Sequence, residues 1–250
     1  MQPIPTINRP SAELVEGLKE IGTAKLSSVI YRMGYQNVFM AGPARAHEPG
    51  RTVAGPALTL QFMPKRRDVY GDDEYGNPEA QLHRHVLYQT EPGDIVVVDA
   101  RGCMTAGIFG EMMLAYFKGR GGAGMVVDGC IRDFPNVSKL EVPLWVRGFT
   151  PNFHTQTDLM PFAVNVPVAC GGVLVLPGDI IVADDDGAIV VPAVAAEELL
   201  QKGSIWHEWE DYSRIRLLEG GDLRRYYPLA EDARGEFEAW KAAQAQSARG

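Results

Sequence analysis

Leu14, Leu18, Ile21 and Leu26 recur at helical spacing across residues 11–33, with Ser11 in position to cap and Gly22-Thr23 in position to divide the stretch into two helices. The pattern then changes. Val53, Ala57, Leu58 and Leu60, bounded by Gly and Pro, predict a strand over 52–62. Residues 64–78 are charged and rich in Gly and Tyr, so they read as an excursion from the core, and 79–89 as a short helix. After the turn Glu91-Pro92-Gly93-Asp94 come a buried strand at 95–99, a small-residue turn at 104–110, a helix at 111–119 and a second buried strand at 125–127. A further strand is expected at 142–147. Short β segments follow at 173–175, 180–182 and 189–191, with Pro177-Gly178-Asp179 as a turn. The stretch 193–244 is helix-rich and ends in a loose Ala, Gln and Ser tail.

Alternation of strand and helix in the middle, with hairpin-like strands after it, predicts an α/β fold: one domain with a mixed β-sheet flanked by helices, and a helical C-terminal extension. The expected bounds are 1–195 for the domain, with an insert at about 64–90, and 196–250 for the extension. No repeat of fixed period or Pro- or Ser-rich linker forces another boundary.

Composition narrows the function classes. At 250 residues, with 46% hydrophobic and 22% charged positions, the chain can bury a substantial core. A net charge of −8 opposes a polyanion unless basic residues cluster. The only compact basic run, Lys65-Arg66-Arg67, is followed by Asp68, Asp72, Asp73 and Glu74, which describes a solvated loop, so no nucleic acid partner is expected. Cys103, Cys130 and Cys170 form no CxxC pair, which argues against a disulfide framework or zinc ribbon and fits a reducing compartment. No secretory signal is visible in residues 1–10, and no apolar run reaches the ~18 residues that span a bilayer. A cytoplasmic protein with no membrane partner is the expectation.

The chemistry concentrates between Gly107 and Asp133. A glycine turn leads into Glu111 at a helix start, where the N–H groups of Glu111, Met112 and Met113 lack intrahelical acceptors and the helix dipole favours an anion. Twenty residues separate Glu111 from Arg132-Asp133, which follows the next buried strand. In an open α/β sheet that loop lies beside the preceding helix's N-terminus, where ligands bind. Arg132 offers a planar fork for a carboxylate. Asp133 is a hard ligand for Mg²⁺ or Mn²⁺, cations that take few protein carboxylates, and Glu111 could hold a water beside it. A 2-oxo acid chelating such a metal would have its carbonyl polarised, and the metal with Arg132 would stabilise the enolate left after C–C cleavage. Spacing alone favours the plainer reading, a helix-initial glutamate and a surface Arg–Asp ion pair.

The run GEMMLAYFKGRGGAGMVVDGCIRD resembles the RraA-like family, which includes the 4-hydroxy-4-methyl-2-oxoglutarate/4-carboxy-4-hydroxy-2-oxoadipate aldolases. That family's signature is an acidic residue, twenty residues, then Arg-Asp, and Glu111, Arg132 and Asp133 match it. GTAKLSSV, GPALTL, PGDIVVVDA, PLWVRGFTP and PGDIIVADDDGAIVVP match in family order over roughly 20–195. The resemblance implies an αββα sandwich assembled as a homotrimer or homohexamer with its active site at the subunit interface. It also implies a metal-dependent (class II) aldolase or oxaloacetate-type decarboxylase acting on a small 2-oxo acid through a pyruvate enolate. By residue it implies Asp133 as metal ligand, Arg132 on the substrate carboxylate and keto group, backbone amides of Gly110, Glu111, Met112 and Met113 on the substrate, and Glu111 orienting a metal-bound water. In the aldolases a neighbouring subunit adds a glutamate, and Glu208 and Glu210 lie in the matching stretch. The chain departs from the pattern in the 64–78 excursion and the segment WHEWEDYSRIRLLEGGDLRRYYPL, which bear on the substrate.

Other conspicuous residues read as structural. Asp184-Asp185-Asp186-Gly187 is expected to be a hairpin turn rather than a calcium loop. His83 and His85 point in different directions on a helix and read as surface or lid residues, with His83 or Arg84 able to reach a second substrate carboxylate. His154 and His207 show no partner in the sequence, Cys130 reads as core, and Trp206 and Trp209 fit an amphipathic helix on a neighbour. The lyase competes with two alternatives: a non-catalytic regulator, since some family members are named as inhibitors of RNase E, and a different lyase or hydrolase on the same scaffold.

Overall fold

Parallel strands need cover on both faces, and the unbroken apolar runs at 95–98 and 125–127 announce it. The computed structural model describes residues 4–47, 49–70, 76–154 and 157–247. The chain divides into two units, Met1–Leu199 and Leu200–Gly250. The first contains strands β1 (Ala44–Arg45), β2 (Val53–Pro64), β3 (Ile95–Gly107), β4 (Gly124–Ile131), β5 (Leu144–Phe149), β6 (Leu159–Val164), β7 (Val168–Cys170), β8 (Val173–Val175), β9 (Ile180–Asp184) and β10 (Gly187–Val191). Its helices are α1 (Ala12–Ile21), α2 (Thr23–Arg32), α3 (Leu82–Tyr88), α4 (Glu111–Gly119) and α5 (Phe134–Val137).

The mixed sheet runs β1-β5-β4-β3-β2-β9-β10, with β6 paired to β2 and β7–β8 as a separate hairpin. β2 through β5 are parallel neighbours, and the remaining pairs are antiparallel. The steps β2-α3-β3, β3-α4-β4 and β4-α5-β5 all move in one direction, which puts their crossover helices on one face. Side chains sort by the period of two. Leu58, Leu60, Val96, Val98, Met125 and Val127 join Leu87, Leu114 and Phe117 of the helices. Ala57, Ile95, Val97, Val126 and Trp145 join Val168, Val175, Ile181 and Val190.

The predicted division of the first helix holds. Ser11 Oγ accepts the Leu14 N–H at 3.2 Å, and Gly22 turns the chain at φ 81. Asp184 then caps α2, accepting from Thr23 N (2.9 Å) and Thr23 Oγ1 (2.6 Å), a contribution of about 1 kcal/mol. The acidic run is thus the β9–β10 turn, with one carboxylate spent on a helix end. The strand expected at 95–99 continues to Gly107, because Arg101 and Gly102 take left-handed backbone (φ 58 and 67) and let β3 bulge past β4. The helix expected at 79–89 is shorter, with a single 3₁₀ turn at Pro78–Ala80 before α3. Within the 64–78 excursion, Asp72, Asp73 and Glu74 lie outside the described residues.

The second unit is helical: most of α6 (Ala196–Leu218), then α7 (Leu223–Tyr226) and α8 (Arg234–Ser247). Tyr212, Tyr226 and Ala233 form its buried centre, with Phe237 and Trp240 packed on them. Among the described residues no helix is long and apolar enough to cross a membrane.

Candidate functional site

β4 ends at Ile131, and the Arg132 N–H donates to Phe109 O at 3.0 Å, tying the strand end to the segment that enters α4. Asp133 adopts left-handed backbone, φ 60 and ψ 28, a conformation that short polar side chains tolerate. Its carbonyl accepts from Asn136 and Val137 and starts α5. Across the gap, the Glu111 N–H at the start of α4 donates to Asp133 Oδ2 at 3.3 Å. The corner is tight. A Cβ on Gly110 would overlap Asp133 Oδ2 and sit 3.0 Å from Arg132 Nε. Gly110 itself has φ −119, open to any residue, so the requirement here is space.

Arg132 Nε lies 3.8 Å from Asp133 Oδ2, and the two side chains are 29% and 40% exposed, so both can meet a ligand. The Arg132 guanidinium also stands 5.8 Å from the Phe153 ring centre. A cavity of about 440 Å³ opens over this corner. Gly110, Arg132 and Asp133 line one part; Arg84, Leu87 and Tyr88 of α3 and Met112, Met113 and Tyr116 of α4 line the rest. The first-turn N–H groups of Met112 and Met113 have no acceptor within the helix by its geometry. A second hollow of about 520 Å³ lies along Glu16, Lys19, Glu20 and Arg51, where Lys19 is engaged by Glu16 at 2.7 Å.

The sequence-predicted residues Gly110, Met112, Met113, Arg132 and Asp133 therefore share one cavity, and Glu111 joins them through its backbone. The Glu111 side chain turns aside: its Oε2 accepts from Asn136 Nδ2 at 3.0 Å. Asn136 was not singled out in the sequence, although its place three residues after Asp133 is the available signal. One histidine expectation needs correction. His83 is fully buried, not a surface or lid residue, with its ring 4.3 Å from that of His154, itself 1% exposed. Phe62 of β2 also packs there, its ring 5.7 Å from that of His154. His207 lies 3.5 Å from Asp211. Cys130 is core, as expected, and burial pushes its thiol pKa up. In the second unit Glu208 pairs with Lys241, and Glu210 accepts from Trp206 Nε1 at 2.8 Å.

The donor chemistry suits a hard divalent cation. Asp133 offers a partly exposed carboxylate held by a single long hydrogen bond. No group of three or more His, Cys, Asp and Glu gathers as a metal cage among the described residues. Mg²⁺ and Mn²⁺ accept one or two carboxylates and keep waters, whereas zinc takes three or four protein ligands.

Comparison with known proteins adds lineage to this geometry. The RraA-like family model, described as Aldolase/RraA, matches residues 23–190. A protein of Halalkalibacterium halodurans called "Putative 4-hydroxy-4-methyl-2-oxoglutarate aldolase" is 43% identical over 150 residues, 60% of this chain and 64% of that one. A Methanocaldococcus jannaschii protein of no stated function is 34% identical over 130 residues, 52% of this chain and 62% of that protein. The chain thus spans a little under two thirds of the length of these curated relatives. Among solved structures, Streptomyces coelicolor RraAS2, described as an unusual member of the RNase ES inhibitor RraA protein family, superposes with a TM-score of 0.77 at 45% identity. That match covers 83% of this chain and all of RraAS2.

Proposed function

The chain belongs to the RraA-like family, and on that premise we propose that it is a divalent-metal-dependent lyase that cleaves a C–C bond of a small 2-oxo acid. The observation that carries this is the convergence of a guanidinium, a carboxylate and the α4 N-terminus on one cavity. Asp133 would hold Mg²⁺ or Mn²⁺, which when bound polarises the substrate carbonyl as a Lewis acid. Arg132 supplies the fork for the substrate carboxylate and keto oxygen. As the C–C bond breaks, its electron pair moves into the 2-oxo group, and the Arg132 charge stabilises the enolate oxygen that develops. The departing carbon would leave as CO₂ in decarboxylation, or in aldol cleavage as a carbonyl, its hydroxyl proton passing to the water that Glu111 orients, and water protonates the enolate carbon to give pyruvate.

The Met112 and Met113 N–H groups add donors, with the helix dipole favouring the anion. Glu111, tethered by Asn136, orients a water at the cavity edge. Leu87, Tyr88 and Tyr116 limit water elsewhere in the cavity. We place this site at the subunit interface of a homotrimer or homohexamer, with Glu208 or Glu210 of a neighbouring copy completing it. The relative named as an aldolase supports the reading.

The likeness to RraAS2 favours a second reading, a regulator that binds a ribonuclease without catalysis. Calorimetric titration with Mn²⁺ separates the two. The lyase requires binding that weakens at least about tenfold in Asp133→Asn, since a charged ligand is lost. Absence of Mn²⁺ binding, or equal binding by the variant, favours the regulator.

A further inference from the structure

Arg84 lies on α3 three and four residues before Leu87 and Tyr88, so the three share a face, and all three line the cavity that Arg132 and Asp133 also line. Its surroundings differ from those of the other inward-turned arginines. Arg9 grips Asp94 at 2.9 and 2.8 Å, Arg45 meets Asp185 at 3.2 Å, and Arg147 is bound to Asp128. Arg84 Nε is buried with no hydrogen-bond partner, and no carboxylate pairs with its guanidinium among the described residues. An unmet charged donor against apolar and aromatic walls costs free energy, and such a group calls for an acceptor from outside the fold. Its neighbours in the sequence do not share this position. His83 packs on His154, and His85 Nε2 lies 2.7 Å from Glu79 O.

Charge leads to the same place. Among the described residues of one copy, the cavity lining holds two guanidiniums against one carboxylate, and a 2-oxo acid with a single carboxylate on Arg132 leaves Arg84 unmatched within that lining. We infer that Arg84 is a specificity-determining residue that takes a second carboxylate, at the substrate end remote from the 2-oxo group. Dicarboxylic 2-oxo acids already follow as substrates from the aldolase reading; the new assignment is that Arg84 selects them, with their middle carbons against Leu87, Met113 and Tyr116. This rests on the reading of Arg132 and Asp133 as the site for the 2-oxo acid head.

The test is calorimetric binding, in Mg²⁺, of 2-oxoglutarate and of 2-oxopentanoate, which carries a methyl in place of the terminal carboxylate. Wild type should prefer 2-oxoglutarate by about tenfold to a hundredfold, the range of a charge-assisted hydrogen-bonded pair. Arg84→Met should bring the two within about twofold by weakening 2-oxoglutarate alone, and Arg84→Lys should restore part of the preference. The melting temperature of Arg84→Met should stay level or rise, because a buried unpaired donor is removed. A preference that survives in Arg84→Met, or is absent from wild type, overturns the assignment. If wild type binds both ligands equally and Arg132→Met loses both, only Arg84's role falls. If wild type binds neither, the head-group reading falls with it.

Discussion

Gly110 shows how closely the corner at Arg132 and Asp133 is drawn. A methyl there would take the space of Asp133 Oδ2 and crowd Arg132 Nε, whose residues follow directly on the end of β4. Gly110→Ala is therefore expected to lower kcat/KM of the proposed lyase at least about tenfold, the scale of one misplaced catalytic group. The fold should survive, since φ −119 suits alanine, and a thermal melt beside steady-state kinetics checks both parts. The pairing of Glu111 with Arg132-Asp133 was legible in the sequence because adjacent α/β steps bring a helix start beside the next strand's end. The turn of the Glu111 side chain to Asn136 was not, because side-chain direction depends on neighbours that spacing does not specify. The same holds for His83 and His154, whose contact joins positions far apart in the chain.

Elements were legible where one period dominates. α1, α2, α4 and the apolar runs of β3 and β4 follow from spacing, and Ser11 and Gly22 mark ends that the structure keeps. The extension of β3 to Gly107 escaped, because a bulge changes register through backbone conformation and leaves little trace in polarity. In the second unit the helices were expected, but the polar cluster around Glu236 was not. Glu236 accepts from Tyr212 Oη at 3.0 Å and from Arg225 at 2.7 Å, and these groups, Tyr212 foremost, hold its carboxyl below the ordinary value of 4.5. A lowered folded pKa contributes stability above the unfolded value and loses it as pH falls through the folded one. Glu236→Gln should thus melt below wild type at neutral pH, and the gap should close as pH drops below 4.5. Buried Asp99 and Asp179 act oppositely, their pKa values raised by burial, so their stabilising effect fades as pH rises past the unfolded value of 3.8. They are common to both proteins and cancel in the difference, which circular-dichroism melts across pH would measure. A gap that persists unchanged in acid contradicts the assignment.

At the scale of the whole molecule, the mixed sheet with helices on one face and antiparallel strands on the other leaves the carboxyl ends of the parallel strands to build the cavity. The α/β fold class and the family were both legible, through the order of short motifs over residues that the family model also spans. The particular substrate was not, since spacing along one chain does not specify the shape of a pocket. The central claim is metal-assisted C–C cleavage at Arg132 and Asp133. Its most direct test is pyruvate release from oxaloacetate and 4-hydroxy-4-methyl-2-oxoglutarate with Mg²⁺ or Mn²⁺, then with EDTA, beside Asp133→Ala as control for cleavage by free metal. Release should require the metal and fall to the free-metal background in Asp133→Ala. Release that is equal in the variant, or that persists in EDTA, contradicts the claim.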